Sequence, residues 1–470
     1  MSVPQIAVLA VAAILVYQLR TGRSLALLGI SALVIYWLQP HQESVNLTFW
    51  FPTLTLALTV IFWLVTSRPE VRGWKKNGSA TAIILAVVIL VDFNRYFKVE
   101  YFFITTTPRF QWVAVALLGL VFTGFLLARF REFPPIAFTF LSIGLIAVLV
   151  LMKTPSILTM LYEVVAGLRG KETRSISEFS WLGFSYVAFR LLHTVIDRKT
   201  GRLQSVPLAE YVNYVIFFPA FVAGPIDRIE RFAKNLEESL PLDQSGWMEA
   251  GTRLFQGLFK KFVIADALAW VALNEIFALE VKSTGWMWFV LYAYSLRIYF
   301  DFSGYTDIAI GLGRLLGVRL PENFDSPYFK PNLTQFWNSW HMTLTQWFRS
   351  YFFNPLARSL RSARAPLPLP FMVMITQVAT MILIGLWHGV TLNFFLWGAW
   401  HGMGLFIQNR WSDWMRTRPL AWGTTGVGEA VLKYSNIFLT FQFVTLGWLF
   451  FALPDPAMSL KVLLRLFGIT

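Results

Sequence analysis

The sequence predicts an all-α, polytopic integral membrane protein with roughly nine to twelve crossings, each built from about 20 mostly apolar residues. Three observations carry that class. Apolar residues make up 56% of the 470 and charged residues only 14%, where soluble chains run near a quarter charged. Aromatic residues reach 17%, with 20 Trp, a load that suits belts at the two lipid–water interfaces. The apolar residues also gather into runs long enough to span a bilayer.

In chain order, the clearest runs are 3–19, 25–40, 47–67, 80–97, 111–129 and 134–152. Met1 to Arg20 has no basic leader and no small-residue cleavage motif, so it reads as a first transmembrane helix rather than a removed signal peptide. Beyond residue 152 the pattern loosens. Apolar stretches at 179–196, 207–223, 250–280, 285–317, 366–388, 391–409 and 432–453 remain, several carrying charges or broken by Gly and Pro. This divides one membrane domain into N-terminal transmembrane helices, 1–152, and a core, 153–470. No internal repeat is evident.

The balance of 40 Lys+Arg against 26 Asp+Glu gives a net charge of +14. In a membrane chain, basic loops on the cytoplasmic side facing anionic lipid account for this, and nucleic acid is not an expected partner. Arg20 and Arg23 follow the first run, Arg68, Arg72, Lys75 and Lys76 the third, and Arg129 and Arg131 the fifth, while the loop from Gln39 to Asn46 has no Lys or Arg. The positive-inside rule then places the N-terminus outside a multi-pass cell membrane protein, inner or plasma. Lys153 to Arg174 is basic yet falls on the outer side; an extra surface helix is one reading. The absence of cysteine excludes disulfides, thiolate metal sites and a cysteine nucleophile.

Five histidines are the candidates for chemistry: His41, His193, His341, His388 and His401. His41 sits in a short polar loop and reads as solvated. His193, at a helix end before Asp197 and Arg198, reads as structural or interfacial. His341 lies at the edge of an amphipathic stripe in which Trp337, Trp340, Leu344, Trp347 and Tyr351 recur at helical spacing, opposite Asn338, Thr345, Gln346 and Arg349; alone, such a helix reads as interfacial packing. His388 separates two apolar runs, Pro370 to Trp387 and Leu392 to Phe406. Both outer flanks are basic, through Arg358, Arg361 and Arg364 before and Arg410, Arg416 and Arg418 after. The pair reads as a helical hairpin with both ends inside and Gly385, His388, Gly389 and Asn393 near its turn. An ionisable residue in membrane-embedded sequence is a functional hypothesis by default; a histidine that holds the turn by hydrogen bonds is the alternative. His401, beside Gly402, reads as a packing residue.

Asp301 and Asp307 enter an otherwise apolar segment. An Arg297–Asp301 pair at i, i+4 is one expectation, a polar cavity lined by the carboxylates another. No His-x-x-x-His or Glu-x-x-His pair is present, so no metal site is expected. No Walker loop or Gly-x-Ser-x-Gly elbow occurs either.

Five motifs in order then make the chain resemble the membrane-bound O-acyltransferases over roughly Trp181 to Phe406. They are Phe217-Phe218-Pro219-Ala220-Phe221-Val222-Ala223-Gly224-Pro225-Ile226, Asp301-Phe302-Ser303-Gly304-Tyr305-Thr306-Asp307, Pro321-Glu322-Asn323-Phe324-Asp325-Ser326-Pro327-Tyr328, the Phe336–Arg349 stretch with His341, and Gly385-Leu386-Trp387-His388-Gly389. The resemblance is to the bacterial branch that holds the alginate O-acetylation membrane protein and the teichoic acid D-alanyl transfer protein. One departure is Arg349-Ser350-Tyr351, where both cousins tend to carry Arg-Asp-Tyr or Arg-Asp-Phe.

The resemblance implies a ring of tilted helices around a thin core, with an outer funnel and a tunnel from the cytoplasmic side. It implies that His388 matches the family's catalytic histidine and His341 its second histidine. Acyl transfer from a thioester to a hydroxyl needs a base, and an imidazole, with a pKa of about 6.5, suits that task. With no nucleophilic elbow, one-step transfer is the simpler route. Trp387, Trp337, Trp340, Asp301, Ser303 and Tyr305 are expected along the substrate path, with Asn393 as a donor to the developing oxyanion. No bound cofactor is expected. The co-substrate is an acyl thioester, expected to be acetyl-CoA, and the acceptor an extracellular or periplasmic polysaccharide. An exported acyl-transfer partner or an acyl-carrier protein would assist. Two alternatives stand beside this reading: D-alanyl transfer from a carrier to a teichoic-acid-like polymer, and a transporter or flippase for a lipid-linked glycan. A transporter would show paired, broken spans in two halves, and none are obvious.

Overall fold

A computed structural model describes residues 1–41, 46–97, 107–154, 156–160, 163, 180–364, 367–417 and 426–469. Among these residues the regular elements are helices and no strand occurs. The surface-helix reading of Lys153 to Arg174 falls largely outside them. The chain forms two compact units, Met1–Phe255 with Asp307–Pro321, and Gln256–Thr306 with Glu322–Thr470.

The first unit begins with α1 (Val3–Gln18), which starts from a capping box: the Ser2 hydroxyl accepts from Gln5 N–H while the Gln5 side chain accepts from Ser2 N–H. Its inward stripe is Ile6, Leu9, Ala13 and Val16, and its outward Val8, Val11 and Leu15 are exposed. A water-soluble helix would present polar residues on that face; an apolar outer face belongs in lipid. After α2 (Arg23–Leu38) come α3 (Leu47–Thr66), α4 (Trp74–Phe97), α5 (Phe110–Arg129) and α6 (Pro135–Met152). Of the apolar window of α3, 72% is buried, against 6% for α5 and 11% for α6. So α3 is the inner helix and the last two turn their sides to lipid. The hydroxyls of Thr53, Thr55, Thr59 and Thr66 on α3 donate to carbonyls four residues back at 2.7–3.0 Å, which lets a buried helix carry polar side chains without open donors.

Two amphipathic helices follow, α7 (Phe184–Lys199) and α8 (Leu208–Ile216), then the Phe217–Ile226 motif and α9 (Ile229–Glu237). Arg190 on α7 is 2% exposed and donates to Val215 O at 2.7 Å and Ala220 O at 2.8 Å. A buried guanidinium therefore holds the motif's turn, which is why an apolar Phe-Phe-Pro-Ala run adopts one conformation. Gly224 sits so close that a Cβ there would lie 2.3 Å from Ala220 Cα.

In the second unit the opening part of α11 (Thr284–Leu315), after α10 (Gln244–Leu258), packs through Met287, Val290 and Leu291 on Leu449, Leu453, Val462 and Leu466. Then come α12 (Leu333–Trp337), α13 (Met342–Phe348), α14 (Leu369–His388), α15 (Leu392–Thr417), α16 (Gly426–Ala452) and α17 (Pro456–Leu466). The expected hairpin is α14 and α15. A Cβ on Gly385 would meet Phe394 O at 2.1 Å, and one on Gly398 would meet Met381 O at 2.5 Å, so the antiparallel backbones touch where glycine removes the side chain.

Six helices among the described residues are long and apolar enough to cross a membrane: α3, Trp74–Asn94 of α4, α5, α6, α14 and α16. At 16 residues each, α1 and α2 are apolar but rise only ~24 Å at ~1.5 Å per residue, less than the ~30 Å hydrocarbon core.

Candidate active site

His388 ends α14. The next residue, Gly389, is extended (φ −179°, ψ 144°), and Thr391 N–H donates to Gly389 O at 2.9 Å, so the chain reverses at once into α15. The imidazole packs edge-on to Trp387 at 4.6 Å, Phe451 at 4.8 Å and Trp397 at 5.7 Å between ring centroids, and is stacked with Phe394 at 5.8 Å. It remains half-buried, whereas His341 and His401 are buried. Of the three histidines in this unit, His388 is the one that is not buried.

His341 also neighbours Trp387. Its ring is 6.4 Å from the Trp387 ring and 4.7 Å, edge-on, from Phe302. The continuous amphipathic helix expected over Phe336–Arg349 does not form. It breaks between α12 and α13, and His341 stands at the break with φ 43°. A non-glycine residue in that left-handed region costs on the order of 1–3 kcal/mol and persists only where surroundings fix it. Here they do. Met342 N–H donates to Asn323 O at 2.9 Å and Asp325 N–H to Ser339 O at 3.0 Å, while the Thr343 hydroxyl donates to Asn323 Oδ1 at 2.6 Å. The Glu322–Tyr328 motif is thus the brace for His341. Burial pushes the His341 imidazole down to about 3 from an ordinary 6.5, so it acts as a neutral ring at working pH.

The two tryptophans of the broken helix face different neighbours. Trp337 meets Trp397 at 5.6 Å and His401 at 5.0 Å. Trp340 meets Phe324 at 5.2 Å and Trp448 at 5.1 Å. A cavity of about 180 Å³ opens beside this layer, with Trp337, Phe348, Arg349, Gln377, Met381 and Ile384 in its wall. Ile384 precedes His388 by one helical turn, so the cavity reaches the α14 face that carries the histidine.

Several expectations are redirected. Asp301 pairs with Lys261, Nζ to Oδ1 at 2.5 Å, rather than with Arg297, because the π-helical turn Phe259–Ala265 lies against the α11 segment at Gly304. Asp307 pairs with Arg253 at 2.6 Å within the first unit. Of the residues expected along the substrate path, Trp337 lines the cavity, whereas Trp340, Trp387, Asp301, Ser303 and Tyr305 do not, and neither does His388; Ser303 and Tyr305 are buried. Asn393 is 2% exposed and its amide donates to Leu453 O at 2.6 Å and Ser459 Oγ at 3.3 Å. Those donors fix the α16–α17 corner instead of facing an oxyanion. Phe302 and Phe451 were missed, because an aromatic ring in an aromatic-rich apolar run gives no sequence signal.

The sequence model of the membrane-bound O-acyltransferase family matches residues 36–450. The chain is 36% identical over 272 residues to a probable alginate O-acetylase of Pseudomonas syringae, covering 57% of this chain and 48% of that one. It thus spans about half the length of the alginate relatives it matches. It is 27% identical over 425 residues to a teichoic acid D-alanyltransferase of Streptococcus thermophilus, covering 88% of this chain and 95% of that one. A peptidoglycan O-acetyltransferase of Helicobacter pylori is 32% identical over 271 residues, 55% of this chain and 47% of the relative.

Proposed function

The chain belongs to the membrane-bound O-acyltransferase family, and on that premise we propose that it moves a short acyl group, acetyl in the first instance, from a cytoplasmic thioester to a hydroxyl of an exported polymer, with His388 as general base. The observation that carries this is the half-buried His388 at the α14–α15 turn, walled by Trp387, Phe394, Trp397 and Phe451.

The acceptor O–H gives its proton to a neutral His388 nitrogen as its oxygen attacks the thioester carbonyl. The tetrahedral intermediate then collapses, the C–S bond breaks, and the imidazolium returns the proton to the departing sulfur. The aromatic wall excludes water, which would otherwise hydrolyse the thioester. The cavity beside Trp337 and Ile384, about 180 Å³, is smaller than the roughly 300–1,000 Å³ of pockets that enclose drug-sized ligands. It suits the acyl end of a donor whose larger part stays outside.

The test is acyl incorporation into the surface polymer by His388→Ala. General-base loss should lower transfer by about 10²–10⁴-fold while the purified variant melts as wild type does. Full acylation by a folded His388→Ala protein overturns the assignment. A second reading, D-alanyl transfer from a carrier protein, is favoured by the near full-length alignment with the D-alanyltransferase. Supplying purified protein with labelled acetyl-CoA in one arm and an aminoacyl-loaded carrier in the other separates the two donors.

A further inference from the structure

Away from His388, the first unit holds a cavity of about 450 Å³ between α3, α4 and α5. Its body is apolar, walled by Leu56 and Val60 of α3, Leu85 and Val88 of α4, and Leu120 and Val121 of α5. Apart from Thr53, whose hydroxyl donates to Phe49 O, the polar lining gathers where α4 begins, at Arg72, Trp74, Asn77 and Thr81. From Trp74 to Val88 the α4 wall rises ~21 Å at ~1.5 Å per residue. That is somewhat more than the half of the ~30 Å hydrocarbon core that one leaflet fills. Protein does not enclose the space: only 6% of the apolar window of α5 is buried, and Val121 and Phe125 in the wall are half-exposed.

What the polar end offers an incoming group is charge. The Asn77 amide donates to Val71 O at 2.7 Å and Gly73 O at 2.9 Å, and its Oδ1 accepts from Leu208 N–H at 2.9 Å. The Thr81 hydroxyl donates to Asn77 O at 3.0 Å. Arg72 donates to Phe130 O at 2.6 Å and Ser67 O at 2.5 Å. Neutral carbonyls fix that guanidinium in place and leave its charge uncancelled. Burial and then the guanidinium of Arg198, at the end of α7, hold the Arg72 pKa below its ordinary 12.5, with Glu70 opposing them. Among the described residues, neither arginine is ion-paired with a carboxylate. Arg68, Lys75 and Lys76 flank Arg72 in the chain.

We propose that this cavity binds one acyl chain of an anionic phospholipid drawn from the bilayer, with the phosphate seated at Arg72, Trp74 and Arg198. The groove has the reach of a chain from a single leaflet, and two like charges at its mouth favour an anion at headgroup level. An exposed indole such as that of Trp74 belongs at the same level. The volume lies within the roughly 300–1,000 Å³ of pockets that enclose a ligand. Close packing is the rule inside proteins, and here the lipid tail would complete it between three helices. Its role is structural and is independent of the acyl-transfer reading.

The full-length protein, purified and delipidated in detergent, is titrated with phosphatidylglycerol or with phosphatidylcholine of the same chains. Bound lipid is counted by native mass spectrometry, with melting followed in parallel. Wild type should take up one phosphatidylglycerol about tenfold or more tighter than phosphatidylcholine, and melt higher with it. Lys75→Gln combined with Arg198→Gln should fold and lose most of that preference. Gly124→Leu fills the cavity from α5, where an added Cβ already meets Leu64 Cδ1 at 3.6 Å, and should lose the tight lipid. Gly119→Leu, on the same helix with nothing within 4 Å of the added carbon, should keep it. Equal affinity of wild type for the two lipids would overturn the proposal. So would tight phosphatidylglycerol on Gly124→Leu, which would mark adsorption to a basic surface. If Gly124→Leu does not fold, the wild-type comparison and the charge variant decide.

Discussion

The His341 imidazole stands 6.4 Å from the indole of Trp387, the residue whose own ring lies 4.6 Å from His388. One tryptophan therefore bridges the two histidines. His341 packs against the same ring that flanks His388.

His341→Asn tests this, because asparagine tolerates the left-handed φ of 43° while removing the ring from Trp387 and Phe302. The variant should fold and melt within a few degrees of wild type. Acyl transfer should fall on the order of 10–100-fold, the scale of a small misplacement of reacting groups. Wild-type turnover by the folded variant would detach His341 from the reaction.

Burial also makes His341 a source of acid sensitivity. Its folded-state pKa is about 3 against 6.5 for the free side chain, so between those values the unfolded chain binds the extra proton. Stability is then complete above pH ~6.5 and declines by up to ~1.4 kcal/mol per pH unit as pH falls toward 3. Across pH 7 to 4 wild type should lose stability that His341→Asn keeps, so the difference between their melting temperatures should shift in the variant's favour as the pH drops. Parallel curves would remove His341 as a contributor.

At Gly385 a Cβ would lie 2.1 Å from Phe394 O. Gly385→Ala should therefore destabilise by about 1–3 kcal/mol through overpacking, and acyl transfer should suffer because His388 lies one turn away. Gly119→Ala on α5, where nothing lies within 4 Å of the added carbon, is the control and should melt at or above wild type. Equal melting of both would show that the α14–α15 hairpin is looser than its contacts imply.

The sequence holds no cysteine, so single-cysteine labelling needs no background removal. Exposed Val3 and Arg361 serve as reporters. With an outside N-terminus, Val3→Cys should react with an impermeant thiol reagent in intact cells, and Arg361→Cys only after permeabilisation. The reverse pattern inverts the orientation.

The sequence by itself determined the class and singled out the histidine on which the proposed chemistry rests. Run length and apolar composition select helices that bury their own backbone hydrogen bonds in lipid. Basic flanks on both sides of one interrupted apolar stretch mark the α14–α15 hairpin, and Gly385 and Gly389 mark its tight turn around His388. These are local properties, readable from neighbours in the chain. Only the tertiary structure decided the rest, because it depends on partners far apart in sequence. Asn323 forces the break at His341, Leu453 and Ser459 claim the Asn393 amide, and Lys261 takes Asp301 from the nearer Arg297. Periodicity assigns a side chain to a face of its helix, and the packing of that face against another segment selects which polar groups meet.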